Sequence, residues 1–396
     1  MEHFFDRSAW MVSRTRQSIE RQIQQRIAWD DRLIGILGAR GTGKTTLLIQ
    51  RMREVQQGRQ AVYLSLDDIY FAGHALFDVV ETFVNEGGNY LFLDEVHKYP
   101  GWSRHLKNIY DVFPDLRVVF TGSSVLDMQR QDADLSRRAV MYSMQGLSFR
   151  EYLLLKHKLE LPLLDIDDLI KNPAAAYARF SPDFRPFVYF EDYLKSGYYP
   201  FFKEGEQSYP IKLQQVVRLV LESDLAELPG FDVRNARKMM QLLYIIASNV
   251  PFKPNVTKLA SQTGIARNIV NNYFQYMEQA GLLKLMYPQG NSTALLPKPE
   301  KVYMENSNLM YAIAAEGVNR GSLRETFLLN QLKSLGDVAL SKEGDFLFRG
   351  KFTFEVGGKN KGNSQIKKVK NAYRVLDDVV VPHGNVIPLW MFGFLY

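Results

Sequence analysis

Apolar residues in the first third of the chain gather into short unbroken runs, and further on they spread into stripes. Leu33-Ile34-Gly35-Ile36-Leu37, Ala61-Val62-Tyr63-Leu64-Ser65-Leu66, Tyr90-Leu91-Phe92-Leu93 and Leu116-Arg117-Val118-Val119-Phe120 have the length and side-chain types of buried strands. Between them, Thr45 to Gln57, Leu76 to Asn85 and Trp102 to Val112 repeat at helical spacing. Strands alternating with helices of this length predict a parallel sheet covered on both faces. Ahead of the first strand, Ile19, Ile23 and Ile27 recur at fours with Arg and Gln between them, which predicts a helical lead-in over residues 1 to 32.

Beyond residue 152 the pattern loosens. Phe184 to Phe190 and Tyr198 to Phe202 are rich in aromatics and broken by prolines, and Ile211 to Glu227 returns to helical periodicity. This stretch reads as a helical lid and connector whose aromatics pack between helices, with stacking on bases as the alternative. From Arg237 the pattern sharpens: a helix through Ile246, a second over Val256 to Ser261, a turn at Gly264, and a longer helix from Ala266 to Ala280. Strands at Gly281 to Met286 and Lys301 to Met304 then complete a winged helix-turn-helix. Ile265, Ile269, Tyr273 and Met277 are expected in its core, and Arg267, Asn268, Asn271 and Asn272 outside. Lys258 and Arg267 are its clear cations, so both direct DNA contact and a role as an internal packing module stay open.

The 396 residues suffice for two or three domains, and 46% hydrophobic with 23% charged residues is ordinary for a globular protein. With no cysteine, there is no disulfide framework, thiolate nucleophile or cysteine-based zinc site, and no two histidines stand at metal-ligand spacing. No apolar run reaches membrane-spanning length, and Met1 to Arg7 carries charge too early for a signal peptide, so a cytoplasmic protein without a membrane partner is expected. The net charge of +6 is modest. Its distribution is uneven: residues 342 to 374 hold nine Lys or Arg against three acids, with Lys359, Lys361, Lys367, Lys368 and Lys370 bunched together.

The clearest chemistry lies directly after the first strand. Gly38-Ala39-Arg40-Gly41-Thr42-Gly43-Lys44-Thr45, followed by Thr46, is a full G-x-x-x-x-G-K-[ST] pattern between a strand and a helix. Glycines allow backbone N–H groups to turn in on a phosphate chain, and the helix start aims its positive end at the same charge. Lys44 is expected on the β- and γ-phosphates and Thr45 on Mg²⁺. The third strand ends in Asp94-Glu95, which suits Asp94 to the Mg²⁺ shell and Glu95 to activating water. The fourth ends in Thr121-Gly122-Ser123-Ser124, whose hydroxyls either report on the γ-phosphate, with Ser124 the candidate, or cap the next helix. Arg137 and Arg138 offer a cation for transition-state charge, in cis or from a neighbouring subunit.

Residues 38 to 45, 91 to 95, 121 to 124 and 135 to 138, followed by Leu147-Ser148-Phe149-Arg150-Glu151-Tyr152, resemble the prokaryotic AAA-type ATPases that carry a winged helix and a C-terminal domain of unknown function. That family typically reads Leu-Ser-Gly-Arg before Leu-Ser-Phe-Arg-Glu-Phe/Tyr. Arg137 stands where the glycine is usual, so Arg138 matches the family arginine. The resemblance implies ATP as the nucleotide, since no base-reading motif stands in the chain. It also implies a C-terminal domain similar to the restriction-endonuclease-like fold, in which Glu325 on a helix, Asp345 at a strand start and Glu355 in the next strand match the acidic positions. These would hold a second Mg²⁺. One feature departs: the fold's nucleases use Glu-x-Lys, and here Gly357 stands two residues after Glu355, with Lys359 and Lys361 beyond it.

The expectation is thus an α/β chain: a P-loop NTPase parallel sheet over residues 1–158, a helical lid over 159–236, a winged helix-turn-helix over 237–314 and a small α/β endonuclease-like domain over 315–396. ATP and Mg²⁺ are the expected ligands, with DNA or another polyanion, a protein, or further copies of the chain as partners. Mg²⁺-dependent ATP hydrolysis that moves the C-terminal domains leads. A nucleotide-gated nucleic-acid-binding switch with slow turnover and an ATP-regulated nuclease are the alternatives.

Overall fold

In the computed structural model, the described residues are 1–15, 19–56, 58–123, 135–227, 231–287, 298–314, 317–362 and 364–396. They divide into two compact units, residues 1–146 with 224–231, and residues 147–223 with 232–396. Among the described residues no helix is long and apolar enough to cross a membrane.

In the first unit, α1 (Glu2–Arg14) precedes β1 (Leu33–Gly38), α2 (Lys44–Val55), β2 (Ala61–Ser65), α3 (Leu76–Asn85), β3 (Tyr90–Asp94), α4 (Trp102–Val112), β4 (Arg117–Ser123) and β5 (Val140–Ser143). The five strands form one wholly parallel sheet in the order β2-β3-β4-β1-β5. Successive residues of a strand point to opposite faces, and both faces are apolar. Leu33, Leu64, Leu93 and Phe120 lie with α3 and α4, while Ile34, Tyr63, Phe92 and Val119 lie with α2. Burying one such side chain is worth roughly 1.5–3 kcal/mol, so slipping any strand by one residue would misplace a full set.

One local expectation gives way, and one strand goes unanticipated. The isoleucine stripe does not form a continuous helix: α1 stops at Arg14, and Gln22–Gln25 is a single 3₁₀ turn. Arg21 turns inward there and donates to the carbonyls of Thr42, Gln145 and Gly146 at 2.8–2.9 Å. Satisfying three carbonyls with one buried guanidinium outweighs the helical spacing. The exposed strand β5 carries too little apolar pattern to be anticipated; it lies against β1 and closes that edge of the sheet.

In the second unit, α5 (Phe149–Tyr152), α6 (Ile166–Lys171), α7 (Pro173–Tyr177), α8 (Phe187–Ser196) and α9 (Tyr209–Leu219) come first. The Ser148-Phe149-Arg150-Glu151 segment is a capping box, in which Ser148 Oγ accepts from Glu151 N–H and Glu151 accepts from Ser148 N–H. A longer array follows: α10 (Ala236–Ala247), α11 (Val256–Thr263), α12 (Arg267–Gln279), β6 (Leu283–Met286), β7 (Lys301–Met304) and α13 (Ser307–Ile313). Gly264 caps α11 in the left-handed region, and β6 pairs antiparallel with β7. Ile269 is 36% exposed; Val270 and Phe274 take the core positions with Tyr273 and Met277. Ile265 lies in the turn before α12, so counting the helix from it places the inward face one residue early.

Next come α14 (Arg320–Lys333), β8 (Val338–Leu340), β9 (Phe346–Phe348), β10 (Phe352–Gly357), β11 (Ala372–Leu376) and β12 (Val386–Pro388). They build a mixed sheet in the order β12-β11-β10-β9-β8, antiparallel from β8 to β10 and parallel from β10 to β12. The β9–β10 hairpin turns at Arg349-Gly350, both at positive φ. The apolar end of the chain is docked, with Leu389–Phe394 buried throughout as a 3₁₀ segment.

Candidate functional site

Gly38 ends β1 and Lys44 opens α2, so residues 39–43 join a strand's carboxyl end to a helix N-terminus. Gly41 and Gly43 have φ values of 85° and 99°, which a Cβ would strain, and this lets the loop fold back into a cradle. Thr42 Oγ1 donates to the Ala39 carbonyl at 2.9 Å and steadies the loop from within. Lys44 is buried, with Nζ donating to the carbonyls of Gly38 and Ala39 at 2.9 and 3.1 Å. Burial pushes its pKa down, and the charges of Glu95 and Asp94 oppose that. Thr46 continues the first turn of α2. Loop and helix start together suit a polyphosphate.

Strand β4 separates β1 from β3, so the loop and the end of β3 flank the carboxyl end of β4. Asp94, the last residue of β3, is buried there. Its carboxylate accepts from Thr45 Oγ1 at 2.7 Å, from Tyr63 OH at 2.8 Å and from Thr121 Oγ1. Burial and the Asp94 charge push the Tyr63 pKa well up, so that phenol stays a donor. Thr121 Oγ1 in turn accepts the Glu95 N–H at 3.2 Å, tying both acids to β4. Glu95 itself sits in the left-handed region at φ 54°, ψ 45°, uncommon for a residue with a side chain, directly after the buried Asp94.

Around Glu95 lies a charged group that no sequence pattern announces. Asp224, with a side chain 1% exposed, accepts from Arg40 Nη2 at 3.0 Å and Nε at 3.4 Å. Arg40 Nη2 stands 3.9 Å from Glu95 Oε2, and Lys98 Nζ 3.7 Å from Asp224 Oδ1. His97 Nε2 lies 3.3 Å from Glu95 Oε2 and 3.9 Å from Asp224 Oδ1. Burial, the largest influence on Asp224, raises its pKa, but the contacts and charges of His97 and Arg40 outweigh it and hold the value at about 2. For Arg40, burial lowers the pKa and the Asp224 pairing overrides that, leaving it raised.

Thr45 and Asp94 present a hydroxyl and a carboxylate oxygen 2.7 Å apart, hard donors of the kind Mg²⁺ takes. Among the described residues no group of three or more His, Cys, Asp or Glu is spaced to hold a metal ion, so phosphate and water oxygens would have to complete that shell. Of the other candidates, Ser124 lies outside the described residues. Arg138 pairs twice with Asp111 of α4, at 2.8 and 3.0 Å. Tyr63, His97, Thr121 and Asp224 join the site without having been singled out. Thr121 was legible as part of the hydroxyl stretch ending β4, whereas Tyr63 read only as a strand residue and Asp224 as part of a distant helix.

The second set of acids stands in the second unit, and Glu325, Asp345 and Glu355 do not form a three-carboxylate group spaced to hold a metal ion by themselves. Glu325 of α14 accepts from Tyr303 OH at 2.7 Å, and Asp345 accepts the Val356 N–H at 2.8 Å. Glu355 of β10 is buried, with Lys361 Nζ 2.5 Å from its Oε1. Burial first, and then the Asp345 charge, push the Glu325 pKa up. Burial also raises Glu355, against the opposing pull of Lys361. A Cβ at Gly357 would meet the Lys361 stem at 2.5 Å, so the bare glycine leaves the space through which Lys361 reaches Glu355.

Residues 30–153 match the family described as an AAA domain, and residues 188–319 match one described as a domain of unknown function, DUF8612. A protein of Methanocaldococcus jannaschii, described as uncharacterized, is 26% identical over 400 residues, covering 92% of this chain and 84% of the relative. Among solved structures, the ORC1 protein of Aeropyrum pernix in complex with DNA aligns over 80% of this chain and 92% of that one, at 14% identity and a TM-score of 0.31. The Hsp104–ADP complex of S. cerevisiae aligns over 68% of this chain and 40% of that one, at 17% identity and a TM-score of 0.31. Likenesses this distant transfer no residue role. The AAA match and the five-stranded parallel sheet agree with a P-loop AAA-type nucleotide-binding domain.

Proposed function

We propose that the first unit binds ATP and hydrolyses it with Mg²⁺. The observation that carries the reading is the hydrogen bond from Thr45 Oγ1 to Asp94, which joins the phosphate loop to the acid ending β3. Bound by Thr45 and Asp94, Mg²⁺ would neutralise phosphate charge. Loop N–H groups from residues 39 to 46 receive the phosphate chain, and Lys44 adds a fixed positive charge. Glu95 takes a proton from the attacking water as the new bond to the γ-phosphorus forms and the bond to the ADP oxygen breaks. Thr121 holds Asp94 and Glu95 in step, and Arg138 is the candidate for transition-state charge. Mg²⁺-dependent phosphate release tests this. Lys44→Ala is expected to abolish binding and turnover, and Glu95→Gln to cut turnover about 10²–10⁴-fold while ATP still binds. ATP binding without turnover under any condition would replace the hydrolase with a nucleotide-gated switch.

The chain leaves the first unit at 146 and returns at 224–231, so Asp224 of the nucleotide site directly follows Ser223 of the second unit. That connection supports nucleotide-dependent gating of the second unit, which we read as a lid, a winged helix (α11, α12, β6, β7) and an endonuclease-like sheet. Its ligand would be DNA or another polyanion. A nuclease reading is favoured by one observation, Lys361 reaching Glu355 across Gly357. Mg²⁺-dependent cleavage of duplex or single-stranded DNA that survives Lys44→Ala but is lost in Glu355→Ala and Lys361→Ala is the expected result. No cleavage by the wild-type chain would leave the acids a binding platform.

A further inference from the structure

Glu95 and Asp224 share Arg40 and His97 as neighbours. Arg40 contacts Asp224 at 3.0 and 3.4 Å but Glu95 only at 3.9 Å, and Lys98 stands 3.7 Å from Asp224. A carboxylate paired directly with arginine is a poor proton acceptor. The division therefore matters for a base: Asp224 takes most of the guanidinium, and Glu95 keeps a lone pair.

His97 contributes the other half. Its side chain is 2% exposed, and the Ser123 N–H donates to Nδ1 at 3.4 Å. In the neutral ring the proton then belongs on Nε2, the atom turned toward Glu95 and Asp224. That Nε2 has no aligned hydrogen-bond partner, so a buried donor is aimed into the site between the two carboxylates.

We propose that Asp224 is a positioning residue for hydrolysis, holding Arg40 away from Glu95, with His97 Nε2 turned toward both carboxylates. The inference deepens the ATPase reading and rests on it. Asp224 acts through Arg40 and Glu95 and does not itself meet ATP. Removing its charge frees Arg40 to close on Glu95, which weakens the base without removing any phosphate contact.

The test is a double-mutant cycle on the full chain, with kcat from phosphate release and ATP affinity from a fluorescent analogue in competition. Asp224→Asn is expected to lower kcat about 10–100-fold, with ATP affinity changed less than about 3-fold. Asp224→Glu should regain most of that rate. In an Arg40→Ala background, Asp224→Asn should cost less than about 3-fold, because the cation that invades Glu95 is gone. Equal costs in both backgrounds, or a loss confined to affinity and melting temperature, would overturn the inference while leaving the ATPase standing. Absence of turnover in the wild type overturns the ATPase reading itself, and this inference with it. Should Asp224→Asn alone unfold, the Arg40→Ala/Asp224→Asn pair removes both charges together and still reports through its rate relative to Arg40→Ala.

Discussion

Asp224 stays ionised far below the pH at which carboxylates ordinarily take up a proton, because His97 and Arg40 together outweigh the opposing effect of burial. Its pKa of about 2 in the folded chain lies below the ordinary aspartate value of 3.8. A depressed value contributes stability that is fully present above the unfolded pKa and is lost as pH falls through the folded one, here from pH 4 toward 2. The shift corresponds to about 2 kcal/mol. Urea unfolding followed by tryptophan fluorescence reports mainly on the first unit, which holds Trp10, Trp29 and Trp102. Between pH 5 and 3 the wild type is expected to lose stability more steeply than Asp224→Asn, and parallel curves would show that the group is not perturbed. Such a residue could not have been read from the chain. Lys44, Thr45, Asp94 and Glu95 are legible because motif spacing and strand ends announce them, whereas Asp224 meets them only through the return of the chain. Glu95's left-handed backbone is likewise silent in the sequence, since glutamate carries no signature for it.

At the scale of elements, legibility follows burial. Strands β1 to β4 are apolar on both faces, so a continuous hydrophobic run identifies each, and α3 and α4 occupy the expected residues from end to end. β5 has one edge on β1 and little buried side chain, which leaves no pattern to read. The isoleucine stripe fails for the opposite reason: a periodic signal is present, but Arg21 spends that stretch bridging carbonyls of the phosphate loop and of the segment after β5. The Leu-Ser-Phe-Arg-Glu-Tyr segment acquires a physical role as well. Its serine and glutamate satisfy each other's N–H groups at the start of the second unit, so the motif specifies a helix start. Glu325, on the largely buried helix α14, has the partner that a carboxylate there needs in the Tyr303 hydroxyl.

Over the whole molecule, the net charge of +6 is less informative than where the lysines stand. Lys361 turns inward to Glu355, whereas Lys359, Lys367, Lys368 and Lys370 are exposed between β10 and β11. Ile366 is buried within the same segment and pins it, so the exposed ammonium groups are held on a folded surface. A fixed cluster of this kind should bind a polyanion by releasing its counterions, which makes affinity fall steeply with salt. Binding of a short DNA duplex, measured by anisotropy between about 50 and 200 mM salt, is expected to show that slope. Replacing Lys367, Lys368 and Lys370 together by alanine should reduce the slope of log affinity against log salt by about 2 to 3, at about 0.9 per lost phosphate contact. Lys44→Ala should leave the slope unchanged, because that lysine is buried in the other unit. A slope that the triple substitution does not move would make the lysine bunch a solvated face and shift the search for a partner to the exposed side of α12, where Arg267 is the available cation.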